Sequence, residues 1–399
     1  MELNRMQNVA SKEFQRWYKN PSIRMRPWFE ISGPAGSGKT TVVRHIIEAL
    51  GISYDDVIFM AYVGKAALAL RLSGVNGCTI HSVIYEPVET IKKDDNGDYV
   101  YDEKGCIVIE TKFVKKDYLP NNIKLLVVDE GGMVAENIGR DILSYNIPTL
   151  VLGDLNQLPP VFGQSIFLQR PDVILNEIMR QKKDSPIIYL SQLAIHGMLF
   201  NYDNYGEAKV IRKHELDDNM LSEADLVICG TNNVRDEINW YMRKNIYSID
   251  EGHVTVGDKL ICRKNCWDRL LGDDDSYADI ALVNGMIGSV VGIDRNDTKQ
   301  SVNMKIDFKP EFSNKGFKGV PINSNYVLSS YRDRVKVNPR FAPFIVFEFG
   351  YCSTCHLAQG SQYDNVIVYV DSAFSGSDYF KKWLYTAITR AKINLTLVM

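Results

Sequence analysis

Residues 33–41 read GPAGSGKTT, and no other stretch constrains the chain as tightly. The spacing G-x-x-x-x-G-K-T is that of a phosphate-holding loop. Gly33, Gly36 and Gly38 free the backbone to curl its N–H groups around phosphate oxygens, Lys39 can reach the β- and γ-phosphates, and Thr40 can hold Mg²⁺, with Thr41 beside it. The context agrees: Trp28-Phe29-Glu30-Ile31 reads as a strand, and residues 41–47 (TVVRHII) as the helix whose N-terminus faces the anion. Such a loop implies a nucleoside triphosphate, but many kinds of protein share it.

Two further stretches narrow the chemistry. Leu125-Leu126-Val127-Val128 ends in Asp129-Glu130, which sets one carboxylate near the metal and a second where it can orient and deprotonate an attacking water. A hydrolysing site needs that base. Thr149-Leu150-Val151-Leu152 then runs into GDLNQLPP, which places Gln157 at a strand's C-terminal end, suited to bonding the γ-phosphate or its water, with Pro159 and Pro160 stiffening the loop behind it.

The wider pattern is α/β. Apolar runs at 57–62, 124–128 and 149–152 read as buried parallel strands of a doubly wound domain covering 1–165. Between 83 and 120 the sequence becomes charged and turn-rich, and 98–101 and 106–109 read as the arms of an inserted β-hairpin. A second α/β pattern covers 166–284 and 343–399, with a strand at 224–230, helices at 234–243 and over DYFKKWLYTAITRA, and a strand at 364–370. It is interrupted at 285–342 by short strands of a small β module.

Bulk properties exclude little. The 399 residues carry a net charge of −3, which argues neither for nor against nucleic acid, because a protein that releases its strand repeatedly needs only a local basic groove. No apolar run reaches the ~20 residues of a membrane span, and the N-terminus lacks a signal-peptide core, so a cytoplasmic protein without membrane partners is expected. Seven cysteines do not suggest a disulfide framework. Cys262-x-x-x-Cys266 and Cys352-x-x-Cys355 with His356 have the residue types of a zinc site, although the second pair falls in a stretch with another explanation.

That explanation is a resemblance. GPAGSGKTT, VVDEGG, GDLNQLPP, STCHLAQGSQYDNV and YTAITRAK, in this order, resemble the motif set of superfamily 1B DNA helicases, most closely the RecD-like branch. The resemblance implies two RecA-like P-loop NTPase domains, with a β-hairpin inserted in the first and an SH3-like module in the second. Gln7 resembles the glutamine that reads the adenine edge. Gly64, Lys65, Thr79, His81, Asn232, Thr354, His356 and Gln359 resemble residues facing DNA, and Gly360 links that motif to the nucleotide cleft. Asn239 and Arg243 follow Asn232 in its segment. Arg180 and Arg390 resemble arginine fingers, which stabilise transition-state charge only when both domains engage the nucleotide. The chain departs from the family pattern at Gly131-Gly132, where a small residue and serine are common, and at Leu357-Ala358, where a lysine is common.

The implied activity is ATP- and Mg²⁺-dependent translocation on single-stranded DNA, 5′ to 3′, with separation of forked or tailed duplex. Tyr99 and Tyr101 on the hairpin are candidate wedge residues. A monomer working beside single-strand-binding or replication proteins is expected. Two alternatives remain open from the residues: the same motor acting on RNA, and a nucleotide-gated switch or loader that does not unwind.

Overall fold

A computed structural model describes residues 3–399, apart from 92–96, 101–106, 108, 161–162, 178–184, 251, 272–279, 295–302, 338–341 and 372–376. Arg180 and Tyr101 therefore lie outside the described residues. The first sheet has six parallel strands in the spatial order Gly77–Thr79, Val57–Ala61, Leu125–Asp129, Thr149–Gly153, Trp28–Ser32 and Val173–Ile174. Its strands are apolar on both faces because both are covered. Leu125 and Val127 pack with Phe14, Val43 and Ile47 of the helices Arg5–Lys19 and Lys39–Leu50. Leu126 and Val128 pack on the opposite side with Ile80, Ile138, Ile142 and Phe167.

The second sheet, also parallel, runs in the order Cys352–Thr354, Leu226–Cys229, Tyr363–Tyr369, Ala391–Val398 and Ala208–Ile211. One face, with Leu226, Ile228, Val366 and Leu395, meets Leu190, Trp383 and Leu384 of the helices Pro186–His196 and Asp378–Ile388. The other, with Val227, Cys229 and Ile367, shares a core with an antiparallel five-stranded sheet. That sheet takes Ile287–Ile293, Asn303–Pro310 and Phe317–Asn323 from the interrupted stretch, but also Lys259–Cys262 and Phe347–Phe349 from outside 285–342. The apolar runs KLIC and FEF carry no local mark of which sheet they will join.

Three more details refine the sequence reading. The inserted ribbon pairs Tyr85–Ile91 with Ile109–Lys115, from Tyr85 opposite Lys115 to Ile91 opposite Ile109, and most of the hairpin read at 98–101 and 106–109 lies outside the described residues. The final helix stops at Ile388, and Arg390 follows it in the turn before the strand Ala391–Val398, which lies between Tyr363–Tyr369 and Ala208–Ile211 and which the sequence reading left unassigned. Asn239 and Arg243, which follow Asn232 in its segment, are interior. The Asn239 amide bonds both to the Cys352 carbonyl oxygen and, as acceptor, to the Cys352 N–H, at 3.1 and 2.8 Å.

Arg243 and Asp258 form an ion pair with no exposed side-chain surface, Nε to Oδ1 at 2.7 Å, and Arg243 Nη2 also donates to the His253 carbonyl. Removing one partner strands the other charge in the interior. Asp258→Ala should therefore lower unfolding free energy by roughly 3–5 kcal/mol, read from the denaturant midpoint. A change below about 0.5 kcal/mol, as at an ordinary surface position, would show that the pair is not buried in solution.

Candidate nucleotide and nucleic-acid sites

The phosphate loop, the acidic pair and the glutamine loop leave the same edge of the first sheet, because each follows the C-terminal end of a parallel strand. Gly36 and Gly38 both have φ of 81°, a left-handed conformation that only glycine adopts without strain, and the helix Lys39–Leu50 starts directly after Gly38. A Cβ on Gly38 would lie 2.4 Å from Gln7 Nε2. Hydrogen bonds from the Gly33 N–H to the Gly153 carbonyl, at 2.9 Å, and from the Leu155 N–H to the Ser32 side-chain Oγ, at 3.3 Å, tie the phosphate loop to the glutamine loop.

Lys39 lies within the loop and donates to the carbonyl oxygens of Gly33 and Pro34 at 2.6 and 3.2 Å. Gln7 is buried behind the loop: its Nε2 donates to the Ser37 carbonyl at 3.0 Å, and its Oε1 accepts from Asn4 N–H at 2.9 Å. Its amide braces the phosphate loop, a contact the sequence reading did not include.

Asp129 accepts the Glu130 N–H on Oδ1 at 3.0 Å. Glu130 has φ of 52°, and a non-glycine residue held there stores strain of a kind that clusters at functional sites. The following Gly131 has a packing reason, since a Cβ would stand 2.3 Å from Val151 Cγ1, whereas one on Gly132 would meet only ordinary contacts. Burial raises the Asp129 carboxyl above the usual carboxylate range, with the Lys39 charge opposing. Burial also raises Glu130, followed by the Asp129 charge, while Lys39 and Arg390 pull the other way. Two desolvated carboxylates, with the hydroxyl of Thr40 that follows Lys39 in the loop, supply oxygen donors only, the donor type that fits a hard divalent cation such as Mg²⁺.

The glutamine loop is joined to the second sheet's final helix. Tyr385 donates to Asp154 Oδ2 at 2.7 Å, and Thr386 Oγ1 accepts from Leu158 N–H at 3.0 Å. Gln157, between those anchors, is 6% exposed and its Oε1 has no protein donor. Asp154, Tyr385 and Thr386 were all inside stretches noticed in the sequence, but nothing local to either stretch shows that they meet. Arg390 is 2% exposed, held by the Thr386 and Ser361 carbonyls and Thr389 Oγ1 at 2.9, 3.2 and 3.1 Å, and its charge reaches Glu130 across the gap. A cavity of about 550 Å³ opens here between Gly33, Pro34, Asp154, Ile188, Gln192 and Tyr385.

The residues expected to face nucleic acid divide into two groups. Asn232, Thr354, His356 and Gln359 gather past the C-terminal ends of Leu226–Cys229 and Cys352–Thr354. There His356 Nε2 meets the Tyr379 hydroxyl at 3.1 Å, and burial lowers its pKa. Gln359 is 1% exposed with both amide atoms unpartnered, next to Gly360 at φ 75°. In the first sheet His81 is exposed and forms a ring ladder with Tyr62 and Tyr85, centroids 6.0 and 5.4 Å apart. Thr79, by contrast, is buried and caps the helix Ile80–Ile84, accepting from Ser82 N–H at 3.3 Å. Gly64 and Lys65 pack against the second half of the chain rather than facing outward. The zinc reading does not hold: Cys352 lies 3.6 Å from Cys229, and among the described residues no group of three His, Cys, Asp or Glu is placed to hold a metal.

Fold and site together define a P-loop NTPase built from two RecA-like domains. Residues 24–215 match the family described as AAA domain, and 349–398 match the UvrD-like helicase C-terminal domain. The ATP-dependent DNA helicase dda of Enterobacteria phage T4 is 27% identical over 297 residues, 67% of this chain and 63% of that one. An uncharacterized protein of Methanocaldococcus jannaschii is 23% identical, over 92% of this chain but 36% of its own length. The chain thus spans about a third and 63% of the lengths of these relatives. In fold it is similar to Bacteroides Pif1 bound to ssDNA, with a TM-score of 0.58, 17% identity and coverage of 100% and 92%, and to Pif1 helicase from Candida albicans, with a TM-score of 0.55, 17% identity and coverage of 100% and 94%. With the motif order, these findings fit a superfamily 1B helicase related to Dda.

The raised Glu130 carboxyl sets the sign of a pH test. The folded chain binds that proton more tightly than the unfolded chain, so the contribution is favourable below the unfolded value of about 4.3 and is lost as pH rises through the folded value. Glu130→Gln should therefore raise the nucleotide-free Tm at pH 7.5, with the difference shrinking as pH approaches 4, while slowing hydrolysis at least ~10²-fold. A lower Tm at pH 7.5 would contradict the assigned electrostatics.

Proposed function

We propose that this chain hydrolyses ATP to move along single-stranded DNA, 5′ to 3′, and separates duplex strands ahead of it. The observation that carries this reading is the pair of bonds from Asp154 and Leu158 to Tyr385 and Thr386. They make the loop holding Gln157 continuous with the helix that precedes Arg390, so a change at the γ-phosphate is felt by both RecA-like domains. Asn232, His356 and Gln359 lie on the second domain, and the His356–Tyr379 contact joins them to the start of that same helix. Opening and closing the cleft would then alternate the grip on a strand.

In this scheme Lys39 and the loop amides bind the phosphates, Glu130 takes the proton of the attacking water, Gln157 orients that water, and Arg390 moves from its carbonyl partners toward the developing charge. Arg180 has the corresponding role by resemblance. Thr40 and Asp129 would hold Mg²⁺, whose chemistry is to neutralise the β- and γ-phosphate oxygens. The inserted ribbon serves as the wedge. Breaking one base-pair step costs about 1.4 kcal/mol, and a base stacked on an aromatic returns roughly 1–3, so an aromatic such as Tyr99 or Tyr101 could offset much of the opening cost. A monomer suffices for all these steps.

Steady-state hydrolysis measured with single-stranded DNA, single-stranded RNA and blunt duplex, followed by unwinding of 5′- and 3′-tailed substrates, tests the reading. Stimulation by single-stranded DNA with unwinding from the 5′ tail is expected. Hydrolysis indifferent to nucleic acid would instead favour a nucleotide-gated switch, and equal stimulation by RNA would remove the DNA preference. Arg390→Ala should retain ATP binding and lose about 10³-fold in turnover. Deleting residues 92–108 should leave strand-stimulated hydrolysis intact and abolish unwinding, and loss of both together would rule out the ribbon as a wedge.

A further inference from the structure

Lys65 is not where a backbone-phosphate contact belongs. It lies in the first turn of the helix Gly64–Leu72, which packs on the first sheet, yet its amine donates to the Tyr363 hydroxyl at the start of the second-domain strand Tyr363–Tyr369. The Lys65 nitrogen also stands 5.0 Å from the Tyr363 ring centroid. Tyr363 is itself 9% exposed, so the pair is an internal contact between domains.

The surrounding backbone is built for that approach. A Cβ on Gly285, which has φ of 89°, would lie 3.2 Å from Lys65 Cβ. One on Gly360 would lie 2.9 Å from Ala66 Cβ, and one on Gly64 would lie 2.9 Å from Asn265 Oδ1. Three glycines thus let one helical turn press against three separate segments of the second half of the chain. The charged groups around the amine are Glu311, which favours its protonation, and Lys259 and Arg390, which oppose it. Burial is the largest influence and brings the Lys65 pKa down to about 8, which a solvent-facing phosphate contact would not show. Tyr363 N–H donates to the Arg390 carbonyl at 2.9 Å, so the residue that receives Lys65 is bonded to the backbone of the candidate finger.

We infer that Lys65 is a positioning residue for Arg390 rather than a nucleic-acid contact: its bond to Tyr363 docks the second domain so that the Arg390 charge faces Glu130. This inference rests on the ATP-hydrolysing reading above. The family resemblance points the other way at this position, toward DNA, and the two roles predict different losses. A docking residue supports the closed, reacting state, so its removal lowers kcat. A phosphate contact supports strand binding, so its removal lowers affinity and the salt dependence of affinity.

Lys65→Met, Tyr363→Phe and the double variant of the full chain, assayed for ATP hydrolysis at saturating oligo(dT) and for oligo(dT) affinity across a salt series, separate them. Expected are a kcat fall of roughly 10- to 100-fold in each single variant, the range for losing one bond to a charged group, and an unchanged KM for ATP. The double variant should be no slower than the worse single one. Oligo(dT) affinity and its salt slope should match the parent chain. Tyr363→Phe removes one hydroxyl and keeps the test available if Lys65→Met folds poorly. An unaltered kcat in Tyr363→Phe, or weakened oligo(dT) binding in Lys65→Met with the salt slope reduced by about 1, would overturn the assignment. A parent chain without strand-stimulated hydrolysis would overturn the function proposed above and this inference with it, whereas an active parent with unaffected variants would overturn the inference alone.

Discussion

Tyr385 donates its hydroxyl proton to Asp154 at 2.7 Å, from the last helix of one domain to the loop after a central strand of the other. Burial raises the phenol's pKa far above its ordinary value, so the group remains a neutral donor wherever the fold persists. A bond to a charged acceptor is worth about 1.5–3 kcal/mol, enough to bias a domain arrangement without locking it. The neighbouring bond from Leu158 N–H to Thr386 adds a second anchor one residue along the helix. The loop carrying Gln157 lies between these anchors, and Arg390 lies one short turn beyond them. The loop that follows a central strand of the first domain is thus bonded directly to the last helix of the second.

Close approach is the other requirement of such a cleft, and glycine meets it on both sides. Gly38 lets the phosphate loop turn against Gln7, and Gly131 lets the chain turn immediately after the acidic pair, where Val151 leaves no room for a Cβ. The strain at Glu130 belongs to the same turn: the backbone is bent into a left-handed conformation directly after the strand, and the carboxylate is thereby set beside Asp129 rather than beyond it. Desolvation then makes both carboxylates poor anions until a cation joins them. That is the electrostatic condition under which a dication and a triphosphate bind together.

Much of this was legible from the order of residues. The phosphate loop, the acidic pair and the glutamine loop each follow a short apolar run, and a parallel sheet sends the C-terminal ends of its strands to one edge, so their meeting follows from local pattern plus one topological rule. What pattern could not supply were relations between distant segments of similar character. Lys259–Cys262 and Phe347–Phe349 fall within the bounds read for the second α/β domain and join the antiparallel sheet instead. Thr79, which resembles a residue facing nucleic acid, also caps a helix, because its hydroxyl lies three residues before an otherwise unsatisfied amide.

The sequence by itself determined the nucleotide chemistry, because phosphate binding and water activation depend on a few residues at short spacing on a sheet whose direction is implied by its apolar strands. Tertiary structure alone decided how the two halves meet. Asp154 with Tyr385, Lys65 with Tyr363 and Gly360 with Ala66 are separated by hundreds of residues, and each contact exists only because the two halves of the chain meet in space. Lys65 shows why the distinction matters: its position within a motif resembles a strand contact, while its bond to Tyr363 of the other half of the chain is visible only in the fold.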